Sequence, residues 1–236
     1  MPSPAGATSV PEQSRGGLMA RRPTMIHAST SLKRMVEAEW SPNRYQRTAL
    51  SLMRSGLLDA LGEQLRIKKW SAVTMADIAA AAGVSRKTLY NEFQSRSGLA
   101  RAYAARLTGE IADAIAREIQ ARSGDPYGAI HAAYSDFFDR IEADPLVASL
   151  RGPDAPIDLL RMITVDSQFL VDDASPVIAE AFQHSWVGAS ERDANVLGEA
   201  MTRTALNFVA LPPKDREEAI SGVASIYAPY IEAISA

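Results

Sequence analysis

One short stretch of the chain gathers side-chain types that contact nucleic acid. Arg86, Lys87, Thr88, Tyr90 and Asn91 lie within six consecutive positions. Cations and hydroxyls contact phosphate oxygens, while arginine and asparagine also pair with the edges of bases. The chemistry that this stretch offers is therefore recognition of a polyanion.

The residues around this stretch predict two short helices joined by a tight turn. Thr74 with Asp77 three residues later resembles a capping box at the start of the first helix. Gly83 suits the positive φ of a helix end, and Ser85 is a good N-cap for the second helix. This layout is a helix-turn-helix, whose second helix enters the major groove of DNA.

Composition argues against several kinds of site. The chain of 236 residues has no cysteine, which excludes disulfides, zinc–thiolate sites and cysteine nucleophiles. Its three histidines, His27, His131 and His184, are far apart and form no metal-binding motif. No Gly-rich phosphate loop or serine elbow appears, so we expect no catalytic residues, no metal and no cofactor. A mean hydropathy of -0.10 and the lack of a long charge-free apolar run argue against a membrane span. The N-terminal stretch lacks the continuous apolar core of a secretory signal, so we expect a cytoplasmic protein.

Charge is distributed unevenly, although the whole chain has a formal net charge of only -3. Residues 32–107 contain thirteen Lys and Arg residues against six acids, a net charge of +7. Residues 108–236 carry a net charge of -12, which DNA would repel. The basic segment is typical of phosphate binding, and the acidic remainder should face away from DNA.

Hydrophobic periodicity predicts an all-α fold with little strand signal. The predicted helices are residues 42–66, 74–82, 85–92, 95–122, 126–142, 144–150, 156–171, 176–188, 190–209 and 213–234. Polar residues before prolines mark three helix starts, at Ser41–Pro42, Asp125–Pro126 and Ser175–Pro176. Residues 1–40 are predicted to be a disordered tail, in which Arg21 and Arg22 either touch phosphates or are simply solvated.

From Arg44 to Leu107 the sequence resembles the DNA-binding domain of the TetR family of bacterial transcriptional regulators. The specific pattern is Ala-Gly-Val-Ser at 82–85, Thr-Leu-Tyr at 88–90 and then Phe93. The chain departs from the family at Lys69, where glycine is common, at Asn91–Glu92 and at Arg96, a frequent lysine. The resemblance implies an N-terminal three-helix helix-turn-helix domain, residues 41–107, followed by a larger helical ligand-binding and dimerisation domain, residues 108–236.

The resemblance also implies roles that the local chemistry supports. Arg86 and Lys87 reach base edges or phosphates from the start of the recognition helix. Tyr90 donates its hydroxyl to a phosphate, and Leu89 and Phe93 belong to the core. The full set of predicted DNA contacts is Arg44, Thr74, Ser85, Arg86, Lys87, Thr88, Tyr90, Asn91 and Arg96.

The C-terminal region is expected to hold a small, hydrophobic effector in a pocket between helices. The predicted lining is Phe137, Phe138, Met162, Phe169, Phe182 and Trp186, with His131, Tyr134 and His184 as polar tips. The alternative for each of these residues is an ordinary place in the core, where aromatic residues at helical spacing usually lie.

Dimerisation follows from DNA geometry, because a single helix-turn-helix reads too few base pairs and pairs bind two half-sites. We expect residues 176–188 and 190–209 to form the four-helix interface, and residues 213–234 are the competing choice. In the expected mechanism the ligand shifts the long helix 95–122 and thereby releases a repressor from its operator. The alternatives are an activator, a regulator without a ligand, or a helical interaction protein that does not bind DNA.

Overall fold

The chain is built from α-helices, as its periodicity predicts. The computed structural model describes residues 44–152 and 154–235, and these contain ten α-helices, one 3-10 helix and no strand. The first five helices are α1 (Arg44–Ile67), α2 (Met75–Ala81), α3 (Arg86–Phe93), α4 (Arg96–Ala121) and α5 (Pro126–Ala143). The others are α6 (Pro145–Ala148), α7 (Ile157–Ile163), α8 (Gln168–His184), α9 (Glu191–Ala210) and α10 (Arg216–Ile234). The 3-10 helix, Trp70–Ala72, lies between α1 and α2.

Residues from Thr48 onward form one compact unit of the chain, and every contact discussed below lies within it. The predicted tail with Arg21 and Arg22, and the predicted helix start at Ser41–Pro42, fall outside the described residues.

Two hydrophobic clusters form the core of this unit. One joins α1, the 3-10 helix, α2, α3 and the start of α4 to buried residues of α6, α7 and α8. The other joins the rest of α4 to α5, α8, α9 and α10. Since α4 contributes to both, this helix of 26 residues links the helices that precede it to the C-terminal helices.

Most predicted helix starts are confirmed in atomic detail. Thr74 and Asp77 form a reciprocal capping box on α2. Ser85 caps α3 by accepting the Thr88 N–H, and Asp125 caps α5 just before a proline. These caps depend on residues within three positions of each other, which is why the local sequence predicts them.

One predicted helix start is wrong. Pro176 lies inside α8, which begins at Gln168, and the predicted helix 156–171 is divided between α7 and α8. Ser175 caps no helix, and its hydroxyl instead donates to Thr202 Oγ1 across 3.2 Å. The buried residues Ala174 and Ile178 keep α8 continuous across the proline, so tertiary packing outweighs the missing backbone N–H.

The described residues also bear on the requirements of a membrane span and of a metal site. Among the helices in residues 44–152 and 154–235, none is long and apolar enough to cross a membrane. The same residues contain no group of three His, Cys, Asp or Glu side chains placed to hold a metal ion.

Candidate functional site

The helix-turn-helix exposes one polar face of α3. Arg86, Lys87, Tyr90 and Asn91 are exposed there, with Tyr90 48% accessible despite its aromatic ring. Leu89 and Phe93 are buried on the opposite face, and their prediction as core residues is confirmed. The exposed residues recur at helical spacing, so they present cations, a hydroxyl and an amide on one surface.

The turn that precedes α3 fixes the direction of this surface. Gly83 takes a φ of 66°, a left-handed conformation that favours glycine. The N–H of Val84 donates to the Ala79 carbonyl across 3.0 Å and closes the turn. Because the turn is tight, α2 and α3 pack directly against each other, as a helix-turn-helix requires.

The hydroxyl groups of three predicted DNA-contact residues form hydrogen bonds with neighbours three positions away. Ser85 Oγ and Thr88 Oγ1 lie 2.9 Å apart, and Thr88 is half-buried. The exposed Thr74 hydroxyl donates to Asp77 Oδ2 across 2.8 Å. Lys68 Nζ lies 2.9 Å from the other oxygen of Asp77. The phosphate contacts of all three residues remain predictions, as do those of Arg44, whose side chain lies outside the described part of the chain.

Arg96, which is predicted to contact phosphate, makes contacts with protein groups in the structure. Its Nη1 donates to the carbonyls of Trp70, at 3.0 Å, and Val73, at 3.2 Å. Its guanidinium carbon lies 4.4 Å from the centre of the Trp70 ring. The side chain therefore ties the start of α4 to the segment that leads into α2, and its DNA contact remains a prediction.

A contact between α1 and α3 also positions the exposed face of α3, and the local sequence gives no sign of it. Arg54 of α1 forms an ion pair with Glu92 and lies over the Phe93 ring, 4.9 Å from its centre. This pair joins residues 38 positions apart, so no local pattern reveals it. The ion pair and the cation–π contact fix the position of the C-terminal turn of α3 against α1.

An apolar cavity of about 70 Å³ lies among the C-terminal helices. Its walls come from α4, α5, α6, α7, α8 and α9. Thr108 and Thr202 are the polar residues of the lining, and the Thr202 hydroxyl already donates to the Gly198 carbonyl across 2.8 Å. The cavity therefore offers mainly aliphatic contacts.

Two residues of the predicted pocket, Phe137 and Met162, line this cavity. The other predicted residues lie elsewhere. Tyr134 is fully buried and donates its hydroxyl to the Met201 carbonyl across 3.0 Å. Burial raises the pKa of that hydroxyl well above its usual value. Phe182 is a core residue away from the cavity walls, and Phe138 lines a neighbouring cleft instead.

The remaining predicted pocket residues have polar or cationic partners outside the cavity. His131 Nε2 lies 2.9 Å from Glu217 Oε1, and His184 Nδ1 lies 3.1 Å from the Glu180 carbonyl. Arg101 covers the Phe169 ring at 3.6 Å, and Trp186 Nε1 donates to the Ile119 carbonyl across 2.7 Å.

Aliphatic residues form most of the cavity wall, and they were missed because their pattern is that of any core. A neighbouring cleft of about 550 Å³ shares part of this wall. The shared residues are Ile141, Val147, Leu150 and Val209. These four side chains therefore border both the cavity and the cleft.

Known proteins match both parts of the chain. The family described as bacterial regulatory proteins, tetR family, matches residues 57–103. The bacterial tetracyclin repressor C-terminal domain matches residues 125–229. The HTH-type transcriptional regulator AlkX of Mycobacterium tuberculosis is 40% identical over 188 residues, which cover 80% of this chain and 89% of that protein.

Solved structures agree with these matches. The TetR family repressor AlkX of a Dietzia species, implicated in biodegradation of n-alkanes, is 33% identical and superposes with a TM-score of 0.72. The similarity covers 84% of this chain and 98% of that one. A tetR-family regulator from Streptomyces coelicolor, 19% identical over 77% of this chain and 83% of its own, shares the fold with a TM-score of 0.51. The chain belongs to the TetR family of transcriptional regulators, and it is a DNA-binding regulator and not an enzyme.

Proposed function

We propose that the chain is a homodimeric repressor that binds a palindromic operator and is released by a small apolar effector. The observation that carries the proposal is the exposed polar face of α3, with Arg86, Lys87, Tyr90 and Asn91 held by a buried Leu89 and Phe93. In this proposal residues 41–107 read DNA, residues 108–236 bind the effector and the second subunit, and residues 1–40 form a tail. The repressor acts in the cytoplasm.

The last two helices support dimer formation. Val196 on α9 and Ile226 and Tyr230 on α10 are large apolar side chains that are 52%, 72% and 39% exposed. The exposed positions of α8 are instead mostly polar, including Asp172, Glu180 and His184. This pattern favours α9 with α10 as the dimer helices over the pair 176–188 and 190–209. A homodimer places two helix-turn-helix domains roughly 34–36 Å apart, and this separation matches the half-site spacing of a pseudo-palindrome.

The cavity supports an apolar effector. Its volume of about 70 Å³ is far smaller than that of the ligand pockets of drug-sized molecules, which run from roughly 300 to 1,000 Å³. A drug-sized effector must therefore push the surrounding helices apart to bind in this cavity. The related Dietzia repressor is implicated in biodegradation of n-alkanes. We infer that this chain likewise controls genes for the handling of hydrophobic compounds.

A gel-shift titration with DNA from upstream of the chain's own gene tests the proposal. We expect binding that weakens steeply as salt rises, because phosphate contacts release counterions. Arg86→Ala should cost about 1–3 kcal/mol of binding and relax specificity at one base position. Lys87→Ala should reduce the slope of log K against log salt by about 1.

Arg117→Ala is the matched control, because Arg117 is an exposed arginine on α4 outside the helix-turn-helix. It should bind as the wild-type protein does. Unchanged operator affinity in Arg86→Ala would refute the assignment of α3 as the reading helix. An effector that binds without changing operator affinity would favour a regulator without ligand control.

A further inference from the structure

We propose that Asp158, on a helix that lines the apolar cavity, is a positioning residue for the DNA-reading helices. The inference rests on the proposed function, since it takes α3 as the reading helix. It extends that function by assigning a route from the cavity to the helix-turn-helix that passes through α7, in addition to the long helix α4.

Asp158 contacts the segment that leads into the helix-turn-helix. The indole Nε1 of Trp70 donates to Asp158 Oδ2 across 3.0 Å. Arg96 Nη2 lies 3.9 Å from the same oxygen. Trp70 is only 1% exposed, so its indole N–H depends on a protein partner. One carboxylate thus holds a buried aromatic residue and meets a cation of α4.

These contacts fix the beginning of α2. Trp70 opens the 3-10 helix, and Val73 and the N-cap Thr74 follow it directly. Arg96 donates to the carbonyls of both Trp70 and Val73 while its guanidinium covers the indole ring. Movement of the Asp158 carboxylate therefore acts on the start of α2 and the start of α4 together. These two helices flank α3 in the chain and pack against it.

The same short helix reaches the cavity. Met162 lies four residues after Asp158, one helical turn along the same side, and it lines the cavity with Ile163. Leu159, Met162 and Ile163 are buried in the cluster that also contains Trp70. The helix has only seven residues, so its two ends move as one body.

The small size of the cavity explains why a bound effector would move α7. Because about 70 Å³ is too small for a drug-sized molecule, an effector must displace lining side chains and the helices that carry them. Displacement of Met162 shifts α7, and α7 carries the carboxylate that holds Trp70. The effector and the operator then favour different positions of α7, which is the differential interaction that release requires.

The first experiment uses the full-length protein without any effector. Operator affinity and its salt dependence are measured for wild type, Asp158→Ala and Asp158→Asn. We expect Asp158→Ala to bind the operator about tenfold more weakly, as the loss of a charged hydrogen-bond partner predicts. The salt slope should not change, because Asp158 contacts no phosphate. Asp158→Asn keeps an oxygen acceptor for the indole N–H and should regain part of the affinity.

Asp166→Asn is the matched control. Asp166 is an exposed acid just beyond the other end of α7, and its Oδ2 accepts from Arg161 Nε across 2.8 Å. Its replacement removes the same charge without touching Trp70 or Arg96, and we expect wild-type operator affinity. Circular dichroism melting of all variants verifies that they fold.

The second experiment follows the route from the cavity with N-phenyl-1-naphthylamine, a neutral apolar fluorophore. Bound probe should weaken operator binding in the wild type and in Asp166→Asn. In Asp158→Ala it should still bind, but its effect on operator affinity should fall by about threefold or more. A purely structural role of Asp158 would leave this coupling unchanged.

The outcomes separate the two proposals. Equal operator affinity in Asp158→Ala and Asp166→Asn, or equal coupling to the probe, overturns the positioning role and leaves the proposed function standing. A probe that binds without affecting wild-type operator affinity counts against the effector cavity, and the effector-free affinities then still decide the role of Asp158. Failure of the wild type to bind any operator overturns both.

Discussion

The Tyr103 hydroxyl donates a hydrogen bond to Asp144 Oδ2 across 2.9 Å and so joins α4 to the N-cap of α6. The other oxygen, Oδ1, accepts the N–H groups of Leu146, at 2.8 Å, and Val147, at 3.0 Å. Both side chains are buried, and burial together with the adjacent carboxylate raises the pKa of the Tyr103 hydroxyl well above its usual value. The three donors satisfy the hydrogen-bonding capacity of the buried Asp144 carboxylate. The carboxylate lies between α4, which contributes to both hydrophobic clusters, and α6, which lines the cavity.

Tyr103→Phe should lower the free energy of unfolding by about 1–3 kcal/mol, because it leaves one oxygen of a buried carboxylate without its donor. Urea denaturation followed by circular dichroism measures the change. Tyr127→Phe is the control, since Tyr127 is 42% exposed. If the two variants lost equal stability, the Tyr103–Asp144 bond would have no special role.

The capping box of α2 should make stability depend on acid pH. The Lys68 ammonium and the Thr74 hydroxyl and N–H lower the pKa of Asp77 from 3.8 to about 2. Since the folded-state pKa is below the unfolded value, this contribution is present above about pH 4 and is lost as the pH falls toward about 2.

Asp77→Asn should therefore flatten the fall in stability over that acid range, as measured by thermal melts at successive pH values. Asp113→Asn replaces an exposed carboxylate of α4 and serves as the control. The explanation fails if both variants retain the acid dependence of the wild type.

Gly198 allows α9 to approach α8 within one subunit. A Cβ atom at this position would lie 2.4 Å from the Ser175 carbonyl oxygen and 3.2 Å from Ala179 Cβ. Gly198→Ala should therefore cost about 1–3 kcal/mol of stability by overpacking. Gly109→Ala, in α4, has no atom within 4 Å of its new Cβ and should be neutral or slightly stabilising. Similar melting temperatures for the two variants would contradict the close packing of α8 and α9.

Enlarging the cavity should improve binding of an apolar probe. Ile115 is a buried cavity residue, and Ile115→Ala should lose about 2–5 kcal/mol of stability. It should also bind N-phenyl-1-naphthylamine more tightly, because less wall must move. Ile130→Ala removes an equally buried residue outside the cavity and should lose similar stability without that gain. Equal probe binding in both variants would place the probe elsewhere.

Local interactions explain what the sequence by itself determined. The caps at Thr74 and Ser85, the left-handed Gly83 and the buried Leu89 and Phe93 depend on neighbours within a few positions. Such short-range effects are encoded in the order of residues, so the helix-turn-helix and its family pattern are predictable from residues 73–93.

Tertiary packing decided the rest. Pro176 lies inside α8 because the core side of that helix outweighs one lost hydrogen bond. The cavity wall brings aliphatic residues together from six helices, and only two of the predicted aromatic and methionine residues, Phe137 and Met162, take part. Trp70 and Asp158 meet across 88 positions. Contacts of this range arise when helices pack, and the composition of one segment carries no signal of the partner it will meet.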